Sequence, residues 1–227
     1  MDDCLGCWSD FHEHFYGWLN TVWLDELVDT YELLEKKLGL KKSLPITEDW
    51  SAAADFLLVI SNYCLSQKPQ VIVECSSGTS SIVLARCCQK NTQGHVYSLE
   101  NGAEYEKQTR QQLDDFSLAE YCDVVHAPLQ DYNLDDVSFQ WYEKKNLTAE
   151  KIDMLVIDGP PGFIQKQSRY PALPLLHERL AEQCVIFMDD AARDDEKTIV
   201  KRWLKSYPEF QFEYVDNSRG CSILKRT

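Results

Sequence analysis

The chain has 227 residues, 44% hydrophobic and 26% charged, enough for one well-buried domain with a helical extension. No apolar run approaches the roughly 18–20 residues of a membrane span, and the acidic start MDDCLGCWSD lacks the basic and apolar regions of a signal peptide, so the expected address is the cytoplasm. A formal net charge of −14 repels a phosphate backbone and argues against a nucleic-acid partner.

The first predicted element is a helix from about Asp10 to Leu38. Leu24, Leu27, Val28, Tyr31, Leu34 and Leu38 recur at helical spacing, and Gly39 is placed to end it. Lys36, Lys37, Lys41 and Lys42 flank that end, where cations are favourable. Phe11, Phe15, Trp18 and Trp23 make the start aromatic, which reads as a helix packed on the main domain, with a lid or a homodimer contact as the sharper alternative. Cys4 and Cys7 form a CxxC with His12 and His14 nearby, but no second CxxC completes a zinc site, and the odd total of nine cysteines suits reduced structural thiols. After Leu44-Pro45-Ile46, Thr47 can cap a second helix whose buried face holds Phe56, Leu57, Ile60 and Cys64. These segments form an N-terminal helical extension over 1–68.

From residue 69 to 227 the chain alternates. Val71–Glu74 is a strand, followed by a small-residue turn and a helix over about Ser80–Lys90. Strand, tight turn, helix brings backbone N–H groups close to a ligand, at the kind of strand end where an open α/β sheet has its crevice. His95–Glu100 is the second strand. Asn101 then caps a helix with Glu104 three residues on. Cys122–His126 is the third strand, and Val137–Tyr142 an extra one. Ile152–Ile157 is the fourth, ending at Asp158 and the DGPPG turn. Pro171–Glu182 is a helix, Cys184–Met188 the fifth strand, and Asp194–Ser206 a helix. Phe210–Val215 and Cys221–Leu224 are two strands that can pair as a hairpin. The short, nearly continuous apolar strands call for a parallel sheet covered on both faces, with one antiparallel strand at the end. The expected fold is a three-layer α/β sandwich on a seven-stranded sheet.

Five βα units and a hairpin resemble the Rossmann-like fold of the class I S-adenosylmethionine-dependent methyltransferases. VIVECSSGTSS is similar to that family's first motif, and LEN at Leu99–Asn101 to its second. VIDGPPG and MDDAARDDE resemble a bacterial group in which small-molecule O-methyltransferases are common. The resemblance implies that Glu74, Ser76, Ser77, Gly78, Thr79 and Ser80 form the cofactor turn. Glu100, 22 positions after Gly78, would accept hydrogen bonds from two ribose hydroxyls beside Asn101. Ala127, Pro128 and Leu129 would border the adenine ring. Ser76 stands where the family usually has Gly, so a positive φ there would carry a steric cost.

Asp158, Asp189 and Asp190 end adjacent strands in this reading, and three carboxylates at one rim suit Mg²⁺ or Ca²⁺. The metal-dependent catechol-type O-methyltransferases have acids at matching places, with Asp-Asn where this chain has Asp189-Asp190. Their catalytic Lys, however, is replaced here by Pro161. Without a metal, a general base must take the acceptor's proton, and Asp158, His126 and His177 are the candidates. Arg169 and Tyr170 follow the DGPPG turn, where Arg169 would either grip an anionic acceptor or form a salt bridge at a helix start. The expectation is methyl transfer to a small molecule at oxygen. The alternative is a methyltransferase-fold binding protein without turnover. A nicotinamide enzyme is disfavoured because GxGxxG and Tyr-x-x-x-Lys are absent, and an RNA methyltransferase by the charge.

Overall fold

A computed structural model describes residues 30–47 and 50–226. The expected start of the first helix, its aromatic residues, the Cys4/Cys7 pair, His12, His14, Glu48 and Asp49 lie outside the described residues. Within them, the sheet has seven strands, formed by β1 (Val71–Cys75), β2 (His95–Glu100), β3 (Cys122–His126), β6 (Ile152–Ile157), β7 (Leu180–Met188), β8 (Phe210–Val215) and β9 (Cys221–Arg226). Their order is β3-β2-β1-β6-β7-β9-β8. All pairings are parallel except those of β9 with β7 and β8, so the chain's last strand is the one antiparallel strand, as expected, inserted between β7 and the edge strand β8. β4 (Leu129–Leu134) and β5 (Val137–Tyr142) form a separate hairpin.

Strand alternation divides the core. Ile72, Val96, Met154, Val156 and Phe187 face α1 (Thr30–Leu38), α2 (Ala54–Gln67) and α3 (Thr79–Asn91). Val73, Leu99, Leu155, Ile157 and Met188 face the other side. There they meet Trp141, Tyr142, α5 (Ala172–Leu176) and α6 (Asp194–Ser206). α4 (Ala103–Asp115) covers β2 and β3. Leu34 and Leu38 of α1 and Phe56 and Ile60 of α2 belong to the same buried cluster as Ile82 of α3. Among the described residues, no helix is long and apolar enough to cross a membrane.

The boundaries depart from expectation in four places. Thr47 does not cap α2. Its carbonyl accepts the N–H groups of Trp50 and Ser51 at 3.2 and 3.0 Å, closing a turn, and the helix starts only at Ala54. Asn101 does not cap α4, because the Glu100 carboxylate takes the Gly102 N–H at 2.8 Å and turns the chain there, leaving Gly102 at the cap. The helix expected over 171–182 ends at Leu176, continues as a 3₁₀ turn to Arg179, and gives way to β7, whose Leu180 pairs with Ile152. Leu129, expected in a loop, opens β4.

Candidate active site

The strand order reverses between β1 and β6, and a cleft of about 1220 Å³ opens at the carboxyl ends of the strands there. The register aligns its rim. Cys75 pairs with Leu99 and with Ile157, and Ile157 pairs with Met188, so the residues after each strand reach one level.

The turn after β1 is held from below. Glu74 is fully buried; its Oε2 accepts the hydroxyls of Ser81 at 2.6 Å and Ser98 at 2.7 Å, while its Oε1 has no partner. Burial pushes the Glu74 carboxyl above its ordinary range, and the serine hydroxyls oppose this. The Ser81 hydroxyl also accepts the Gly78 N–H at 3.1 Å, so the acid fixes the turn through one serine. Gly78 has φ +142°, which only glycine adopts without strain, and a Cβ there would meet nothing but open space. Thr79 donates to the Pro45 carbonyl at 2.6 Å, tying α3 to the preceding connector.

Ser76 has φ 109°, the backbone conformation that the sequence made costly for a residue with a side chain. Ser76→Gly is therefore expected to raise folding stability by about 1 kcal/mol, the released strain exceeding the added chain entropy, as read by denaturant unfolding.

Ser76, Ser77, Gly78, Thr79, Ser80, Glu100, Asn101 and Asp158 all line the cleft. Glu100 accepts the Ser77 hydroxyl at 2.7 Å besides the Gly102 N–H. Glu74 is not in the lining; it lies beneath the turn. The structure does not bring His126 or His177 to the cleft. β3 is the edge strand, three positions from β6, and His126 sits there with Nδ1 3.0 Å from Glu106. His177 pairs with Glu209 at 2.7 Å, beyond α5. Ala127, Pro128 and Leu129 also lie outside the lining, because Ala127 is buried under the hairpin and the Pro128 carbonyl accepts the Glu143 N–H at 3.0 Å. Tyr105 and Gln108 of α4 line that end instead.

The three aspartates do converge, with one oxygen of each within 4.8 Å of the others. Arg169 sits among them, 3% exposed. Its Nη2 donates to Asp190 Oδ2 at 2.7 Å and to Asp158 Oδ1 at 3.1 Å, and its Nη1 to the Asp189 carbonyl at 2.7 Å. Asp190 also receives Arg193 at 2.9 Å. Of the two roles expected for Arg169, the salt bridge holds, but inside the protein and to the carboxylates themselves. These residues therefore do not fit a resident metal ion, since two of the three ligands are already committed to a cation.

Asp158 is pushed up to about 6, by burial first; Arg169 opposes the shift, and Asp190 adds to it. Asp189 is fully buried, both its carboxyl oxygens lack a partner, and burial followed by Asp158 and Asp190 pushes it up to about 8. The folded chain thus holds the Asp189 proton more tightly than the unfolded chain. That contribution to stability is complete below about pH 4 and is lost as the pH rises through about 8. Asp189→Asn, which cannot ionise, is expected to melt like the parent only below about pH 4 and to be at least ~1 kcal/mol more stable at about pH 9, measured by unfolding at each pH.

Tyr142 escaped the sequence reading. It is 1% exposed, yet it lines the cleft, and a Cβ on Gly159 would collide with its hydroxyl. Its burial holds the phenol well above its usual pKa, so it is a neutral donor.

A family profile described as a methyltransferase domain matches residues 73–191, just over half of the chain. The chain belongs to the methyltransferase-domain family. Its fold is that of the class I S-adenosylmethionine-dependent enzymes. The O-methyltransferase from Bacillus cereus in complex with SAH is similar at 16% identity and TM-score 0.61, over 90% of this chain and 93% of that one. The O-methyltransferase TomG from Streptomyces achromogenes in complex with SAM is similar at 12% identity and TM-score 0.60, over 90% and 92%. A methyltransferase from Geobacter sulfurreducens is similar at 15% identity and TM-score 0.57, over 94% and 96%. No curated protein matches the sequence significantly. The switch-point cleft of this methyltransferase domain is thus the place to look for its chemistry.

Proposed function

We propose that the protein transfers the methyl group of S-adenosylmethionine to a hydroxyl oxygen of a small molecule. The observation that carries this reading is the shared cleft, in which the Ser76–Ser80 turn, Glu100 and Asp158 face one cavity. The turn receives the methionyl part and Glu100 the ribose, with Asn101 beside it; Tyr105, rather than residues 127–129, borders the adenine. The similar structures from Bacillus cereus and Streptomyces achromogenes are O-methyltransferases carrying SAH or SAM, which supports the same donor here. The work of such a site is in-line placement of acceptor oxygen, methyl and sulfur. Asp158 takes the acceptor's proton, and the negative cleft favours the sulfonium cation of the donor.

Residues 69–227 form the catalytic unit in this reading and 1–68 its helical extension. The seven described cysteines are all free and buried, which suits a reducing cytoplasm. Titration calorimetry with SAH tests the donor: saturable binding supports the reading, and none at millimolar ligand removes it. The strained Ser76 favours a second reading, binding without turnover. A protein that binds SAH but never forms it from S-adenosylmethionine with any hydroxylated acceptor belongs there.

A further inference from the structure

We infer that the Arg169 guanidinium stands in for a divalent cation in the Asp158–Asp189–Asp190 cluster, so that this cleft works without a metal and admits none while Arg169 is in place. A divalent ion needs about six oxygen ligands and the open geometry to collect them. Here the planar guanidinium fork already takes Asp158 Oδ1, Asp190 Oδ2 and the carbonyls of Asp158 and Asp189, at 2.7–3.1 Å. Arg193 takes a further share of Asp190. Both carboxyl oxygens of Asp189 lack partners and are fully buried. An ion placed there would gain one carboxylate and face a fixed positive charge. The guanidinium is also always charged and cannot be chelated away, so it orients Asp158 at the rim under all conditions in which the chain folds. Arg169 is thus a positioning residue, and its position depends on the fold rather than on the methyl-transfer reading.

Mn²⁺ titrated into the full chain, with the free ion followed by electron paramagnetic resonance, tests this. The parent chain should leave the free-ion signal unchanged at millimolar Mn²⁺. Arg169→Met should gain a saturable site, binding Mn²⁺ at least ~10-fold more tightly than the parent, with a Tm that rises with Mn²⁺. Saturable Mn²⁺ binding by the parent that disappears in Asp189→Asn overturns the inference. So does a folded Arg169→Met that binds no Mn²⁺. Should Arg169→Met fail to fold, Arg169→Gln, which keeps an amide donor, carries the same comparison. SAH calorimetry on the parent, with EDTA and then with Mg²⁺, separates the two proposals. Lack of SAH binding removes the methyl-transfer reading alone, whereas SAH binding that requires Mg²⁺ removes the role given to Arg169.

Discussion

Asp158→Asn is expected to bind SAH as the parent does and to form it roughly 10²–10⁴-fold more slowly, the range that a positioned general base contributes. Asp158 has what such a base needs. It follows β6 beside the Ser76–Ser80 turn, its side chain is 15% exposed to the cleft, and its pKa is raised to about 6. At neutral pH it is mostly ionised, yet it is more basic than an ordinary aspartate. In the parent, kcat/KM should therefore climb with pH and level off above about 6. In Asp158→Asn that limb should vanish, because amides do not titrate in this range. Asn still accepts a hydrogen bond from Arg169, and Asp190 keeps its own, so the fold is not the quantity that changes. Full activity in Asp158→Asn would move the base elsewhere. It would not restore His126 without a large rearrangement, because that ring pairs with Glu106 on the far edge of the sheet.

What could be read from the chain was what neighbouring residues decide. β2, β3, β6, β8 and α6 have the bounds that their apolar runs and flanking breakers announce. The turn after β1 and the acid ending β2 were legible for the same reason, since a glycine at φ +142° and a carboxylate reaching forward two residues leave local marks. The misses are contacts between distant segments. Arg169 draws its partners from residues 158, 189, 190 and 196, ends of three elements that meet only in the folded sheet. Asp189 and Asp190 read as an equivalent pair. The backbone at Asp190 turns to φ 58°, leaving one carboxyl buried without partners and the other shared by two arginines. Tyr142 reaches the cleft because β4 pairs with β5, and LQDYNL has too few apolar residues to announce a strand. Had that pairing been seen, the tyrosine at the end of VSFQWY would have pointed toward the turn at Gly159.

If Glu100 holds the ribose as proposed, Glu100→Ala is expected to weaken SAH by on the order of 100-fold, about 3 kcal/mol, because two charge-assisted hydrogen bonds would be lost together. A carboxylate accepts about four hydrogen bonds, and Glu100 uses two of these sites for Ser77 and Gly102, leaving roughly two directed to the cleft. Those internal bonds complicate the reading, since the alanine also frees the Gly102 N–H and loosens the start of α4. Glu100→Gln separates the effects. It keeps an oxygen for Gly102 but loses the negative charge, so it should melt near the parent temperature while still binding SAH about 10-fold more weakly. A structural role alone predicts a different pattern, with Glu100→Gln binding as the parent does and Glu100→Ala failing in proportion to its lost stability. Calorimetry and thermal melting on the two variants decide between these patterns. Equal SAH affinity in all three proteins would place the ribose elsewhere in the cleft, with Asn101 and Gln108 among the polar groups left in the lining to hold it.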